Sequence, residues 1–511
     1  MEKRNQFAGL LLMTALLFGG IIRFAAPMSA QGPVNDGGLF MQMTQDLQEN
    51  HFSLPEYTTY NDAGIPFAYP PLGFYLVGAI QSISGISLFD LFTYLPAVFC
   101  TLAILTFYFL ALEFTQDTLE ASIAALFYAV LPKSIDWFIM GGGTLRAIGV
   151  IFSFLVLKFA YRLFTAKDAR AVLPTVIFAA LLILTHPETS FQVAFSTLVL
   201  AIFFLRGRKS ILHSFYVVFL VMVLTSPWWL VLLMRYGTAP LQAALNVGAG
   251  LPNMATTILY FFQFHLGGEA ILSVIAVLGL IGLVWDIRNW DFFLLAWVGS
   301  TFLIEPRAAP FASLTPLILL AIKGLDATLT GLGYPQDLTN GFESKGARGV
   351  LLGLVTYTFM SGVIYSMQLG NQFRILPQER DTMSWIVQNT KPASRFLVLT
   401  GEASLTDPLS EWFPALTGRI SLLTAQGHEW TLDSPLLKNL RAYNQAQACL
   451  NENESCLSAW DFDYVYIRKV RPMPEGNVVE SPSILGFSLR EAQDYKIIFE
   501  NEAAVIYQPV R

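Results

Sequence analysis

The chain has 511 residues, 54% of them hydrophobic and only 13% charged, against about 25% charged in a soluble globular domain. With a mean hydropathy of +0.52 and 14% aromatic residues, it is neither a one- or two-domain cytosolic enzyme nor a disordered chain; a multi-pass helical membrane protein remains. A net charge of −6 argues against a nucleic-acid partner, and three cysteines, Cys100, Cys449 and Cys456, exclude a disulfide-rich scaffold and a cysteine-based zinc site.

In chain order, apolar stretches predict spans near residues 7–26, 91–112, 120–132, 146–161, 171–185, 190–205, 211–234, 269–285, 291–304, 309–322 and 349–369. Several fall short of the roughly 20 residues that cross a bilayer, so their ends must extend into the flanks. Residues 1–30 also carry a signal-peptide pattern ending at Met28-Ser29-Ala30, although Met is a poor residue three before a cut. The topology downstream is the same either way.

The stretch 71–88 is ambiguous, and Lys and Arg placement decides it. If it does not span and the N-terminus is inside, the inner loops hold twelve: Lys3, Arg4, Arg162, Lys167, Arg170, Arg206, Arg208, Lys209, Arg288, Lys323, Lys345 and Arg348. The outer loops before residue 370 hold Lys133, Arg146, Arg235 and Arg307. We therefore place 71–88 as a membrane-dipping or interfacial segment on the outer side. Eleven spans result, in a transmembrane domain of residues 1–370, with a cytoplasmic N-terminus.

Residues 371–511 differ in kind. Charges are frequent, Asp381–Gln388 reads as helix, and strand-like runs occur at Arg395–Leu399, Tyr464–Ile467, Tyr495–Phe499 and Ala503–Tyr507, the last two as a hairpin. This is the size of an α/β domain, placed outside the membrane by the topology. Cys449 and Cys456, seven apart on the oxidising side, are either bridged or two inert thiols.

The first outer loop, 27–90, contains Asp36, Asp46, Glu49, Glu56, Asp62 and Asp90, and no Lys or Arg. Asp36 lies just past the first span in Asn35-Asp36-Gly37-Gly38. Leu39, Phe40, Met43 and Leu47 follow at helical spacing and predict a surface helix over about 38–50. Asp36 then has two readings, the N-cap of that helix or a reacting carboxylate. Ala68-Tyr69-Pro70-Pro71-Leu72-Gly73 follows, a turn that ends one helix and starts another.

This order of features resembles the GT-C superfamily of membrane glycosyltransferases. Those enzymes place an acid in the outer loop after the first span, then surface helices, then a Pro-Pro-Leu motif, matched here by Asp36 and Tyr69-Pro70-Pro71-Leu72. The resemblance covers roughly 1–370. A weaker one links Thr382–Ile386, Ser410-Glu411-Trp412-Phe413-Pro414 and Gly418-Arg419 to the outer domain of oligosaccharyltransferase catalytic subunits, whose Trp-Trp-Asp-Tyr-Gly motif is missing here. The resemblance implies a mainly α, polytopic membrane protein of the cell membrane with about 11 GT-C-type transmembrane helices and an extracytoplasmic C-terminal α/β domain. It also implies a polyprenyl-phosphate-linked sugar donor, an acceptor at the outer face and Asp36 as general base.

The leaving lipid phosphate needs cations or a metal. The second outer loop, where relatives carry another acid, reads Lys133-Ser134-Ile135-Asp136-Trp137 and then Gly141-Gly142-Gly143-Thr144-Leu145-Arg146. Asp136 comes earlier than the usual acid, which leaves a second carboxylate, and Mn²⁺ or Mg²⁺ held by Asp136, as an open expectation. The glycines let backbone approach a ligand, with Arg146 facing a phosphate, or they form a flexible hairpin. Further candidates for substrate contact are Tyr69, His186 and Glu188, which serve equally well as a cap and first turn of the next helix. His265 and Glu269, around Gly267-Gly268, and Arg307, suited to bidentate phosphate recognition, complete the set. The alternatives are a non-catalytic GT-C-fold scaffold, or a lipid or glycolipid transporter, although the acids lie in loops rather than mid-span.

Overall fold

The computed structural model describes residues 2–166, 168–248, 274–304, 308–333, 344–431 and 436–510. Helices α1 (Glu2–Ala30), α2 (Gly38–Glu49), α3 (Leu72–Ser84), α4 (Leu88–Thr115), α5 (Thr118–Val130), α6 (Gly143–Thr165), α7 (Val172–Ile183), α8 (Pro187–Phe204) and α9 (Arg208–Tyr236) are followed by α10 (Ala239–Gly248), α11 (Val274–Arg288), α12 (Phe293–Ile304), α13 (Leu314–Gly331) and α14 (Lys345–Gln372). Each apolar stretch named above falls, over most of its described residues, on one of these helices; 269–273 lie outside the described residues.

Among the described residues, seven helices are long and apolar enough to cross a membrane, or eight if the bent pair Thr118–Val130 and Pro132–Phe138 counts as one span. The count of eleven is not confirmed. For α5 and α7 the reason is length: they have 13 and 12 residues, about 18–20 Å at 1.5 Å per residue against a core of about 30 Å, while α11 and α12 adjoin residues outside the described ones. Helix α3, with 13 residues, is equally short and packs on α2.

The C-terminal region starts with α15 (Pro377–Asn389) and β1 (Arg395–Leu399). Then come α16 (Pro408–Thr417), β2 (Ile420–Ser421), α17 (Leu436–Ala448), β3 (Tyr464–Arg468), a ribbon of β4 (Val470–Pro472) and β5 (Val478–Glu480), α18 (Ile484–Glu491), β6 (Tyr495–Glu500) and β7 (Ala504–Pro509). Five strands form a mixed sheet in the order β2-β1-β3-β7-β6, with β1 parallel to β2 and β3 and the β6–β7 hairpin antiparallel, as the sequence predicts.

Successive side chains of a strand point to opposite faces, and β1 is apolar on both. Leu397 and Leu399 pack with Tyr443, Leu485 and Leu489 under α17 and α18. Phe396 and Val398 pack with Leu409, Trp412 and Phe413 of α16, and that same core takes in Met41 of α2, Val77 of α3 and Phe92 of α4. The sheet therefore shares a core with the loop 27–90 and with Phe92 in the first turns of the apolar helix α4, and this fixes its position over that loop.

Cys449 and Cys456 are bridged, seven residues apart. Replacing both by serine opens the loop and is expected to lower stability by about 2.5 kcal/mol on the chain-entropy account. A thermal midpoint unchanged from the wild type under non-reducing conditions would contradict this.

Candidate active site around Asp36

The chain leaves α1 and runs through residues 34–37 between two partners. On one side the Gly141 amide donates to Val34 O at 2.9 Å and the Gly142 amide to Asp36 O at 3.1 Å. On the other, Trp412 Nε1 donates to Asn35 O at 2.9 Å, and the Asn35 amide donates to Phe373 O at 2.8 Å. Asn35 is left-handed, with φ 54°, a conformation that asparagine tolerates better than most residues.

The Asp36 carboxylate points to the start of α6. Oδ1 accepts from the Gly142 amide at 3.0 Å, and Oδ2 pairs with Arg146 Nη2. Gly142 is the N-cap of α6 and Arg146 lies four residues on, so both project from one side of the first turn. The two side chains are 19% and 18% exposed. Arg146 is steadied by Trp137, whose carbonyl accepts from Nη1 at 2.5 Å and whose ring centroid lies 5.7 Å away. The glycines do allow a close approach, but to Asp36 itself. A Cβ on Gly141 would stand 2.2 Å from Asp36 O, and one on Gly142 2.7 Å from Oδ2.

Asp36 is not the cap of α2. That position is Gly37, with φ 125° and no capping side chain. The cap comes from Glu411 of α16, whose Oε1 accepts from the Gly37 amide at 2.8 Å and whose carboxylate also takes the Leu39 amide. Burial, then the Asp36 charge, then Glu429 push the Glu411 carboxyl up to about 8, against the two amides that favour its charged form. Tyr60 donates to Glu411 O at 2.6 Å. The sequence reading missed Glu411 as a site residue. Its signal lay in Ser410-Glu411-Trp412, quoted only for its resemblance.

Tyr69 completes the cluster. Leu72 N donates to Leu184 O at 2.9 Å, which ties the Pro-Pro-Leu turn to the end of α7. The Tyr69 ring lies 6.3 Å from His186 and 5.7 Å from Trp430. Burial raises its pKa, so it is a neutral phenol, and Arg146, Glu188, Glu429 and Asp36 all act on it electrostatically. His186 caps α8, with Nδ1 accepting from the Thr189 amide at 3.2 Å. Burial lowers its pKa to about 4, so the ring is neutral, with its proton on Nε2. Glu188 sits in the first turn of α8. The structure thus brings Asp36, Arg146, Tyr69, His186 and Glu188 together.

Asp136 is held elsewhere. Lys133 pairs with it at 3.1 Å, and the Tyr365 hydroxyl of α14 donates to Oδ1 at 2.8 Å. His265, Glu269 and Arg307 lie outside the described residues. Among the described residues no group of three or more His, Cys, Asp or Glu is disposed to hold a metal ion. Asp136, expected to hold Mn²⁺ or Mg²⁺, is engaged by Lys133 and Tyr365, and no step below passes through a metal.

Residues 68–246 match the family described as 6-pyruvoyl-tetrahydropterin synthase related domain, membrane protein. No curated protein matches the sequence. Solved structures are similar in fold. The oligosaccharyltransferase AglB from Archaeoglobus fulgidus, in complex with an inhibitory peptide and a dolichol-phosphate, matches with a TM-score of 0.56 and 15% identity over 90% of this chain and 69% of its own. ArnT from Cupriavidus metallidurans, bound to undecaprenyl phosphate, matches with a TM-score of 0.57 and 12% identity over 99% and 98%. The arabinofuranosyltransferase AftD from Mycobacteria matches with a TM-score of 0.53 and 14% identity over 99% of this chain and 40% of its own. All three are GT-C glycosyltransferases. This chain is a multi-pass membrane protein with the GT-C fold.

A carboxyl whose pKa is about 8 in the folded state, against the usual 4.5, takes up a proton on folding. Its contribution to stability is complete below about pH 4.5 and is lost as pH rises toward 8. Glu411→Gln keeps an acceptor for the Gly37 amide without the charge. Thermal midpoints of the variant are expected to change less with pH between about 5 and 8 than those of the wild type; parallel curves would contradict the assignment.

Proposed function

We propose that this chain transfers a sugar from a polyprenyl-phosphate donor to an acceptor hydroxyl at the outer face of the cell membrane, with Asp36 as general base. The observation that carries this reading is the pairing of Asp36 with Arg146 at the mouth of α6, beside a neutral phenol and a neutral imidazole. The GT-C fold, and the lipid phosphates bound to two of the similar structures, support it. In this reading the N-terminus is cytoplasmic and residues 371–511 form the extracytoplasmic domain, in keeping with the charge asymmetry.

In this scheme the donor phosphate takes over Arg146, whose guanidinium suits bidentate recognition of an anion. That releases Asp36 to accept the acceptor's proton. The acceptor oxygen bonds to the anomeric carbon as the bond from that carbon to the phosphate oxygen breaks, and the electron pair leaves with the polyprenyl phosphate. Tyr69 donates a hydrogen bond to the phosphate or the sugar, and His186 and Glu188 line the entrance. Arg307, His265 and Glu269 are assigned to the same outer face as further substrate contacts, and Asp136 stays paired with Lys133 and Tyr365.

The test is sugar release by reconstituted protein from a panel of radiolabelled polyprenyl-phosphate sugars, with and without Mn²⁺ or Mg²⁺. Wild type should turn over one donor, and Asp36→Asn should lose about 10²- to 10⁴-fold in rate. Equal turnover by both proteins would remove Asp36 from the chemistry. Arg146→Ala should raise the donor KM more than it lowers kcat; an unchanged donor KM would remove Arg146 from phosphate binding.

A further inference from the structure

Arg23 lies within the first apolar run, in the last third of α1, and is wholly buried. Its partners are neutral. Nε donates to Cys100 O in α4 at 3.0 Å. Nη1 donates to Ala129 O in α5 at 2.8 Å and to Gly19 O in α1 at 3.1 Å. Nη2 donates to Ser134 Oγ, in the turn after α5, at 3.0 Å, and the guanidinium carbon lies 5.6 Å from the Tyr128 ring centroid.

A cation in an apolar bundle is expensive and is retained where it does something an apolar residue would not. The partners show what that is. Ala129 O belongs to the last turn of α5, where intrahelical donors run out, and the chain bends there by 83° into Pro132–Phe138. Arg23 closes this bend from the side of α1. Cys100 Sγ adds a weak contact from α4 to Phe138 O at 3.5 Å.

These elements lead to the site from its two sides. Helix α1 delivers Asp36. The turn after α5 delivers Gly141, Gly142 and Arg146. Hydrogen bonds such as Gly142 N to Asp36 Oδ1 tolerate a slip of only a few tenths of an ångström before weakening.

We infer that Arg23 is a positioning residue. It locks the register between α1 and the turn after α5, so that the Gly142 amide and the Arg146 guanidinium meet the Asp36 carboxylate. The functional meaning of this role rests on Asp36 being the reacting carboxylate; the register itself does not.

Hydrogen exchange of the purified protein, read by mass spectrometry, tests it without donor or acceptor. Arg23→Met keeps the volume and removes the fork of donors. It is expected to speed exchange of the peptide covering 140–146 about tenfold, while exchange in β1 and the thermal midpoint stay at wild-type values. Ser134→Ala removes one acceptor only and is expected to speed exchange of the same peptide about two- to threefold. Arg23→Lys, which reaches fewer acceptors, should fall between Arg23→Met and the wild type.

Wild-type exchange over 140–146 in both Arg23→Met and Ser134→Ala would overturn the proposal. So would faster exchange in β1 by the same factor together with a lower midpoint, because Arg23 would then be a general stabiliser. If Arg23→Met does not fold, Ser134→Ala decides alone. A failed transfer assay with Asp36→Asn leaves this result standing, and the reverse is equally true.

Discussion

The site depends on one constraint: Asp36 is gripped from two directions at once. Gly142 and Arg146 hold its carboxylate from the start of α6, and Glu411 holds the amide of the next residue from α16. A fully exposed ion pair contributes little, commonly under about 1 kcal/mol. Here the two side chains are four-fifths covered, so the pair has less water to compete with, and losing one partner would leave the other partly buried and unpaired. The strength of the arrangement lies in this mutual dependence.

The rest of the fold follows as a means of bringing these three segments to one place. Helix α1 ends short of Asp36, the bend after α5 turns the chain back to Gly141, and the shared core of Phe396, Trp412, Met41 and Phe92 seats α16 over the first outer loop. The Pro-Pro-Leu turn, tied to Leu184, sets Tyr69 beside His186. The Asp36–Arg146 pair is electrically balanced at rest. In the proposed function, an incoming phosphate would meet a guanidinium already oriented by Trp137. Glu411, pushed up to about 8 by burial and by Asp36, spares the site a second full negative charge below that pH.

Much of this was legible in the sequence. Apolar stretches mark helices because a bilayer leaves the backbone few alternatives, and the hairpin of β6 and β7 announced itself through two β-rich runs. The number of spans was not legible, because helices as short as α5 and α7, with 13 and 12 residues, look the same in sequence whether they cross or only pack. Asp36 stood out as an acid in a loop without Lys or Arg. Its two readings could not be separated, since a cap and a base want the same position; the structure gives the cap to Glu411. That contact spans 374 residues and has no local signature. The glycines of the second loop suggested an approach to a ligand or a flexible hairpin; in the structure the atoms they approach are those of Asp36. Asp136 looked available until folding brought Tyr365 to it. Arg23, inside the first apolar run, was not singled out in the sequence; its neutral partners are what prompted the positioning role inferred for it.

The central claim is that Asp36 and Arg146 form the reacting centre for a lipid-phosphate sugar. The most direct test is the position of an undecaprenyl or dolichyl phosphate bound to the purified protein in a lipid nanodisc, imaged by electron cryomicroscopy with an antibody fragment attached. The account predicts phosphate density within hydrogen-bond distance of the Arg146 guanidinium, next to Asp36, with the tail running between apolar helices into the bilayer. Phosphate density that touches neither residue would contradict it.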